Sequence, residues 1–150
     1  MPSVTTFTNN WKNIVNKLES VLKNEFKGTL NVYIGQTDRQ IGSQYIQLNP
    51  IGSELLEYSV TGEKREYSVQ ILYYCLEETL KDSVINHIFR IVGRVESLIL
   101  DNVNMTYRNE SNNNETVFNC RLQSTDFNTE EENKTVVEWD WKCIHLANIS

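Results

Sequence analysis

The stretch Asp82–Asp101 constrains the fold of this chain more than any other. Within it Val84, Ile85, Ile88, Ile91, Val92, Val95, Leu98 and Ile99 recur at helical spacing. Asn86, His87, Arg90, Gly93, Arg94 and Ser97 recur at the same spacing on the other side. With Asp82 or Ser83 able to cap its first turn, the stretch reads as an amphipathic helix with a wide apolar stripe. Burying such side chains at ~1.5–3 kcal/mol each supplies roughly 12–24 kcal/mol of gross stabilisation. The stripe must therefore lie on something flat and apolar, and a β-sheet with one dry face is the natural cover.

The rest of the chain supplies that sheet. Trp11, Ile14, Val15, Leu18, Leu22 and Phe26 keep helical spacing from about Thr8 to Lys27, and Gly28 is a good stop. Leu30, Val32 and Ile34 predict a short strand, and the polar segment Gly35–Ser43 an exposed loop. Tyr45–Asn49 predicts a second strand ended by Pro50. Ser53–Thr61 is open between a strand and an excursion that orders only on assembly. Tyr67, Val69, Ile71, Tyr73 and Cys75 alternate with polar residues and predict the longest strand before the main helix. The Asn-rich segment Val103–Glu115 has no apolar period and predicts a long loop, mobile unless a neighbour holds it. Phe118, Cys120 and Leu122 alternate, as do Val137, Trp139, Trp141 and Cys143, with a charged turn between the two runs. That is the pattern of an antiparallel hairpin with one dry face. The expected fold is thus a single α+β domain. It has a mixed or antiparallel sheet of about five strands, two helices packed on one face, and the order α-β-β-β-α-β-β.

Composition narrows the function. At 150 residues, 39% hydrophobic and 23% charged, the chain can bury a real core. A net charge of −6 argues against a dedicated nucleic-acid surface, which needs clustered Lys and Arg. No run approaches the ~18 apolar residues that span a bilayer, and the opening residues lack the pattern of a secretory signal. No membrane partner is expected. Cys75, Cys120 and Cys143, odd in number and without a C-x-x-C pair, read as reduced, buried thiols.

Chemistry is sparse. His87 and His145 are the only histidines, and no metal-binding spacing surrounds them. Gly62-Glu63-Lys64 lacks the upstream glycine and following hydroxyl of a phosphate loop. Glu77-Glu78 and Glu130-Glu131-Glu132 read as solvated charge at element ends rather than as acid–base pairs. Trp139 and Trp141 read as core or interface anchors, with a stacking platform for a small ligand as the alternative. No catalytic, metal or cofactor site is expected, and the domain reads as a building block rather than an enzyme.

The order of elements carries a resemblance. An N-terminal helix, strands bearing YIQLNPIGS and REYSVQILYY, a long helix, and a final hairpin containing LQSTDF and VEWDW are together similar to the tail terminator (tail completion) proteins of long-tailed bacteriophages. The likeness covers nearly the whole chain and lies in order and texture. Arg65–Tyr74 and Leu122–Phe127 resemble the family most. The Asn-rich Val103–Glu115 segment departs from it. The resemblance implies a homo-oligomer, a hexameric ring, at the head-proximal end of the tail in the virion. Its partners would be the tail tube protein and the head connector, with DNA passing through the lumen without specific binding. Contacts are expected from Asp38, Arg39 and Gln40 in one loop and from Glu57, Glu63, Lys64 and Arg65 in the Ser53–Arg65 excursion. A head-closure or connector adaptor protein is the nearest alternative, and a small intracellular ligand-binding module the alternative of another class.

Overall fold

Both amphipathic stretches are helices. In the computed structural model, which describes residues 8–35, 44–76, 82–128 and 134–148, α1 spans Asn10–Glu25 and α2 spans Asp82–Asp101. Ile14, Val15, Leu18 and Leu22 of α1 are buried, as are Ile88, Ile91, Val92, Val95 and Ile99 of α2. Asn9 caps α1 by accepting the Lys12 N–H at 3.0 Å. The helix ends where Gly28 takes a φ of +80°, which lets the Thr29 and Leu30 amides both donate to the Phe26 carbonyl.

Between and after the helices lie β1 (Asn31–Ile34), β2 (Gln44–Ser59), β3 (Gly62–Leu76), β4 (Met105–Arg108), β5 (Asn114–Asn128) and β6 (Lys134–Asn148). They form one six-stranded mixed sheet in the order β1-β2-β3-β6-β5-β4. β1 runs parallel to β2, and every other pairing is antiparallel. Alternation sends Ile46 and Leu48, the odd residues Tyr67–Cys75, and Val137, Trp139, Trp141 and Cys143 to one face. There they join the apolar stripes of both helices in a single buried cluster. The opposite face is a polar ladder. Lys142 donates to Ser68 at 2.7 Å, Arg121 to Glu66 at 2.8 Å and Asn49 to Gln70 at 3.2 Å, while Tyr45 and Tyr74 stack at 4.7 Å. Leu72 and Ile144 are the buried apolar residues of that face.

Four sequence expectations need correction. The sheet has six strands rather than about five, because the Asn-rich segment contains β4. A tight turn follows β4, in which the Asn109 side chain accepts the Ser111 and Asn113 N–H groups at 2.9 and 3.0 Å. Asparagine side chains substitute for backbone partners here, a source of order that has no apolar period. Of the two readings left open for Ser53–Thr61, strand holds through Ser59, and Pro50 does not end β2. The Leu48 carbonyl accepts the Gly35 N–H on the β1 side, so residue 50 turns its backbone the same way. The donor that proline lacks would have pointed off the sheet, where its absence costs no ladder bond. Finally, Phe118 does not share a face with Cys120 and Leu122. The register slips between Phe118 and Arg121, where Asn119 takes a φ of 54°, and Val117 rather than Phe118 enters the core.

Candidate functional site

β2 and β3 run on together past the helices as a hairpin. Along β2 every residue from Ser53 to Ser59 is exposed, including Leu55, Leu56 and Tyr58. Glu57 lies opposite Lys64 on the face away from the helices, and Arg65 lies in the row of Leu55 and His145 on the helix side. Arg65 Nε donates to Glu63 Oε1 at 3.0 Å. With both partners about a third exposed, water screens the pair to ~0.2–1 kcal/mol. A shallow recess of ≈ 170 Å³ is lined by Glu57, Ser59, Thr61, Gly62, Glu63, Lys64, Leu146 and Ala147. The structure thus brings Glu57, Glu63, Lys64 and Arg65 together at one hairpin tip. Asp38, Arg39 and Gln40 lie outside the described residues, as do Glu77-Glu78 and Glu130-Glu131-Glu132.

Under the first turn of α1 sits a buried polar cluster. His145, 2% exposed, approaches Glu115 at 3.4 Å (Nε2 to Oε1), and Tyr107 is directly opposite Glu115. Tyr67 stands edge-on to His145, and Trp11 edge-on to Tyr67 at 4.9 Å. Burial pushes the Tyr67 phenol up, against a hydrogen bond with Asn10 that pulls it down. Burial pushes Tyr107 up further, and the neighbouring Glu115 charge adds to it. Imidazole, carboxylate and phenol could serve acid–base chemistry, and Asn10 and Trp11 of α1 meet the cluster through Tyr67. None of the recesses described in this section is lined by His145, Glu115 or Tyr107. The cluster thus links α1 through Tyr67 of β3 to His145 of β6 and Glu115 of β5.

The β4–β5 turn grips the same helix from outside. Glu110 accepts from the Asn9 N–H and the Asn13 side-chain amide, both at 3.1 Å. The Asn13 bond is the largest cause holding the Glu110 carboxyl below the usual range, and a carboxylate at a helix N-terminus is favoured.

The sheet margins are the other notable feature. β1 covers β2 only at Tyr45–Leu48, and β4 covers β5 only at Asn114–Val117. Beside β1 and against α1 lie two hollows. One, of ≈ 600 Å³, includes Glu19, Lys23, Leu30 and Val32; the other, of ≈ 570 Å³, includes Trp11, Val15, Ile34 and Pro50. At the far margin Phe89 of α2 and Phe127 of β5 pack edge to face at 6.1 Å and remain 56% and 49% exposed. A hollow of ≈ 330 Å³ between α2 and β5 is lined by Leu100, Val103, Cys120 and Leu122 among others.

Trp139 and Trp141 are fully buried, which overturns the stacking-platform alternative and with it that form of a ligand-binding module. Cys75, Cys120 and Cys143 are buried thiols outside any disulfide, and the hydrogen bond with Cys120 together with burial pushes the Cys143 thiol up. Among the described residues no group of three or more His, Cys, Asp or Glu side chains could hold a metal ion, and no helix is long and apolar enough to cross a membrane. Sequence reasoning missed Phe89 and Phe127. The available signal was an aromatic among the polar residues of α2 and another near the end of a strand.

No protein-family model matches the chain, and no curated protein matches it.

Proposed function

We propose that this chain is a structural subunit of a phage virion, a ring-forming tail terminator. It caps the head-proximal end of the tail tube, stops tube polymerisation and joins the tail to the head connector. The observation that carries this reading is the sheet itself, with two partly uncovered margins, each flanked by exposed apolar side chains. Such margins are the surfaces on which strands of another chain add. The burial of His145 and Tyr67 within the polar cluster supports a constructional role.

The mechanism is steric. One ring face binds the last layer of tube subunits, and the other presents a surface on which no further subunit can add. The exposed hairpin tip, with Glu57, Glu63, Lys64 and Arg65, makes one of these contacts, and Asp38, Arg39 and Gln40 contribute to the partner surface. A net charge of −6 keeps DNA phosphates sliding through the lumen rather than sticking. Electron microscopy of purified protein mixed with tail tubes tests the reading. Rings at tube ends and shortened tubes are expected. Rings on the portal side instead would make the chain a head-closure adaptor, and tubes that grow unaffected would end the proposal.

A further inference from the structure

The two margins of the sheet are stepped in opposite senses. β1 occupies the rows of Tyr45–Leu48, which continue through β3 and β6 to Thr125–Asn128 of β5. Thr125–Phe127 is a stretch of β5 that β4 leaves uncovered. β4 begins at Met105 opposite Val117, in the row of His145, Arg65 and Leu55, and extends from there toward the hairpin tip. Leu55–Ser59 is a stretch of β2 that β1 leaves uncovered. Among the described residues, each margin therefore carries a short strand in the rows where the other carries a notch.

We infer that successive copies of this chain interlock through these margins. β1 of one copy enters the notch beside β5 of the next, and β4 of that next copy enters the notch beside β2 of the first. The two short strands then share one column of a continuous sheet, so the contact needs a rotation and no slide along the strands. β5 runs opposite to β2, and β1 runs with β2, so β1 meets the neighbour's β5 antiparallel. Pro50, which has no N–H to give, falls in the row of Val69 and Trp141, beyond the last row of β1 and before the first of β4.

Side chains match row by row. On the helix side Phe127 shares the row of Val32, and Thr125 that of Ile34, so the exposed Phe89–Phe127 pair projects toward the hollows flanking the neighbour's β1. Tyr58, 65% exposed, falls in the row of the neighbour's half-buried Tyr107. On the opposite side Glu57 falls in the row of the neighbour's Thr106, one same-face step from Arg108, of opposite charge. The contact is head-to-tail, which closes into a ring or runs on as a filament. The interlock deepens the ring reading and rests on it for closure alone.

Tyr33→Cys with Asp126→Cys tests the register, since both residues lie in the row of Gln47, Leu72 and Glu138. Directly opposed residues of antiparallel strands are within disulfide reach. Tyr33→Cys with Ser124→Cys, two residues out of register, is the control. After oxidation the matched pair should give a ladder of linked species on a non-reducing denaturing gel, and the control should not. Phe127→Lys should weaken self-association by roughly tenfold or more in sedimentation, as loss of a buried aromatic anchor does. Asn24→Lys, exposed on α1 and lining none of the hollows at either margin, should leave it unchanged. A ladder ending at one size supports interlock and ring together; a ladder that runs on without a top supports the interlock and removes the ring. Wild-type oligomers in which the matched pair fails to link, or the control links as readily, overturn the interlock and leave the ring standing on another surface. A monomer with no cross-links overturns the interlock, and tube capping then decides the ring alone.

Discussion

Replacing Trp139 by alanine should cost this fold a large share of its stability. The indole is fully buried at the centre of the sheet, with Ile71, also fully buried, opposite it on β3 and Thr125 opposite on β5. Both helices pack against the same cluster, so the void cannot collapse from one side alone. A buried Trp→Ala change costs ~3–5 kcal/mol, from a total of about 5–15 kcal/mol for a domain. At ~2–4 °C per kcal/mol for a chain of this size, the melting temperature should fall by roughly 6–20 °C. Thermal melts followed by circular dichroism, with urea titration as a second measure, read this directly. A loss under about 1 kcal/mol would refute the buried position and revive Trp139 as a surface anchor, since exposed sites tolerate truncation.

Further outcomes follow from other sites. Tyr67 and Tyr107 have phenols raised by burial. Their contribution is therefore full below the ordinary tyrosine value of ~10 and is lost as pH rises through their raised folded values. Tyr107→Phe should flatten the alkaline fall in stability, and a fall as steep as wild type in pH-dependent unfolding would refute the assignment. Glu110 titrates low, so its grip on α1 is present above the ordinary carboxylate range and lost as pH falls through its lowered folded value. Acid unfolding curves of wild type and Glu110→Gln should differ near neutrality and converge only once pH falls through the lowered folded value of Glu110, beneath the ordinary carboxylate range. Lys64→Glu and Arg65→Ala should each change stability by less than about 0.5 kcal/mol while impairing tube capping. Cys75, Cys120 and Cys143 should resist thiol reagents in the native state and react together only in denaturant.

The parts of the fold legible in the sequence were those written in apolar periodicity. Asp82–Asp101, the Tyr67–Cys75 alternation and the Val137–Cys143 alternation appear as α2, β3 and β6; the named strand residues are buried, as are Ile88, Ile91, Val92, Val95 and Ile99 of the helix stripe, while its Val84, Ile85 and Leu98 are half-buried. What stayed hidden was local chemistry without periodicity. β4 owes its place to pairing with β5 and to the hydrogen bonds of Asn109 beyond it. The bulge at Asn119 flips Phe118 to the other face, and a one-residue slip leaves no trace in composition. Pro50 looked like a terminator because its effect depends on whether its backbone faces a neighbour. Of the expected contact residues, Glu57, Glu63, Lys64 and Arg65 cluster because the hairpin folds them together. The stepped margins were out of reach, since they arise only when register across six strands is known.

Native mass spectrometry of the wild-type chain tests the assembly most directly. A single closed stoichiometry is expected, six copies by the tail-terminator resemblance. An unbounded series of sizes, or a monomer at every concentration that also leaves tail tubes uncapped, would contradict it.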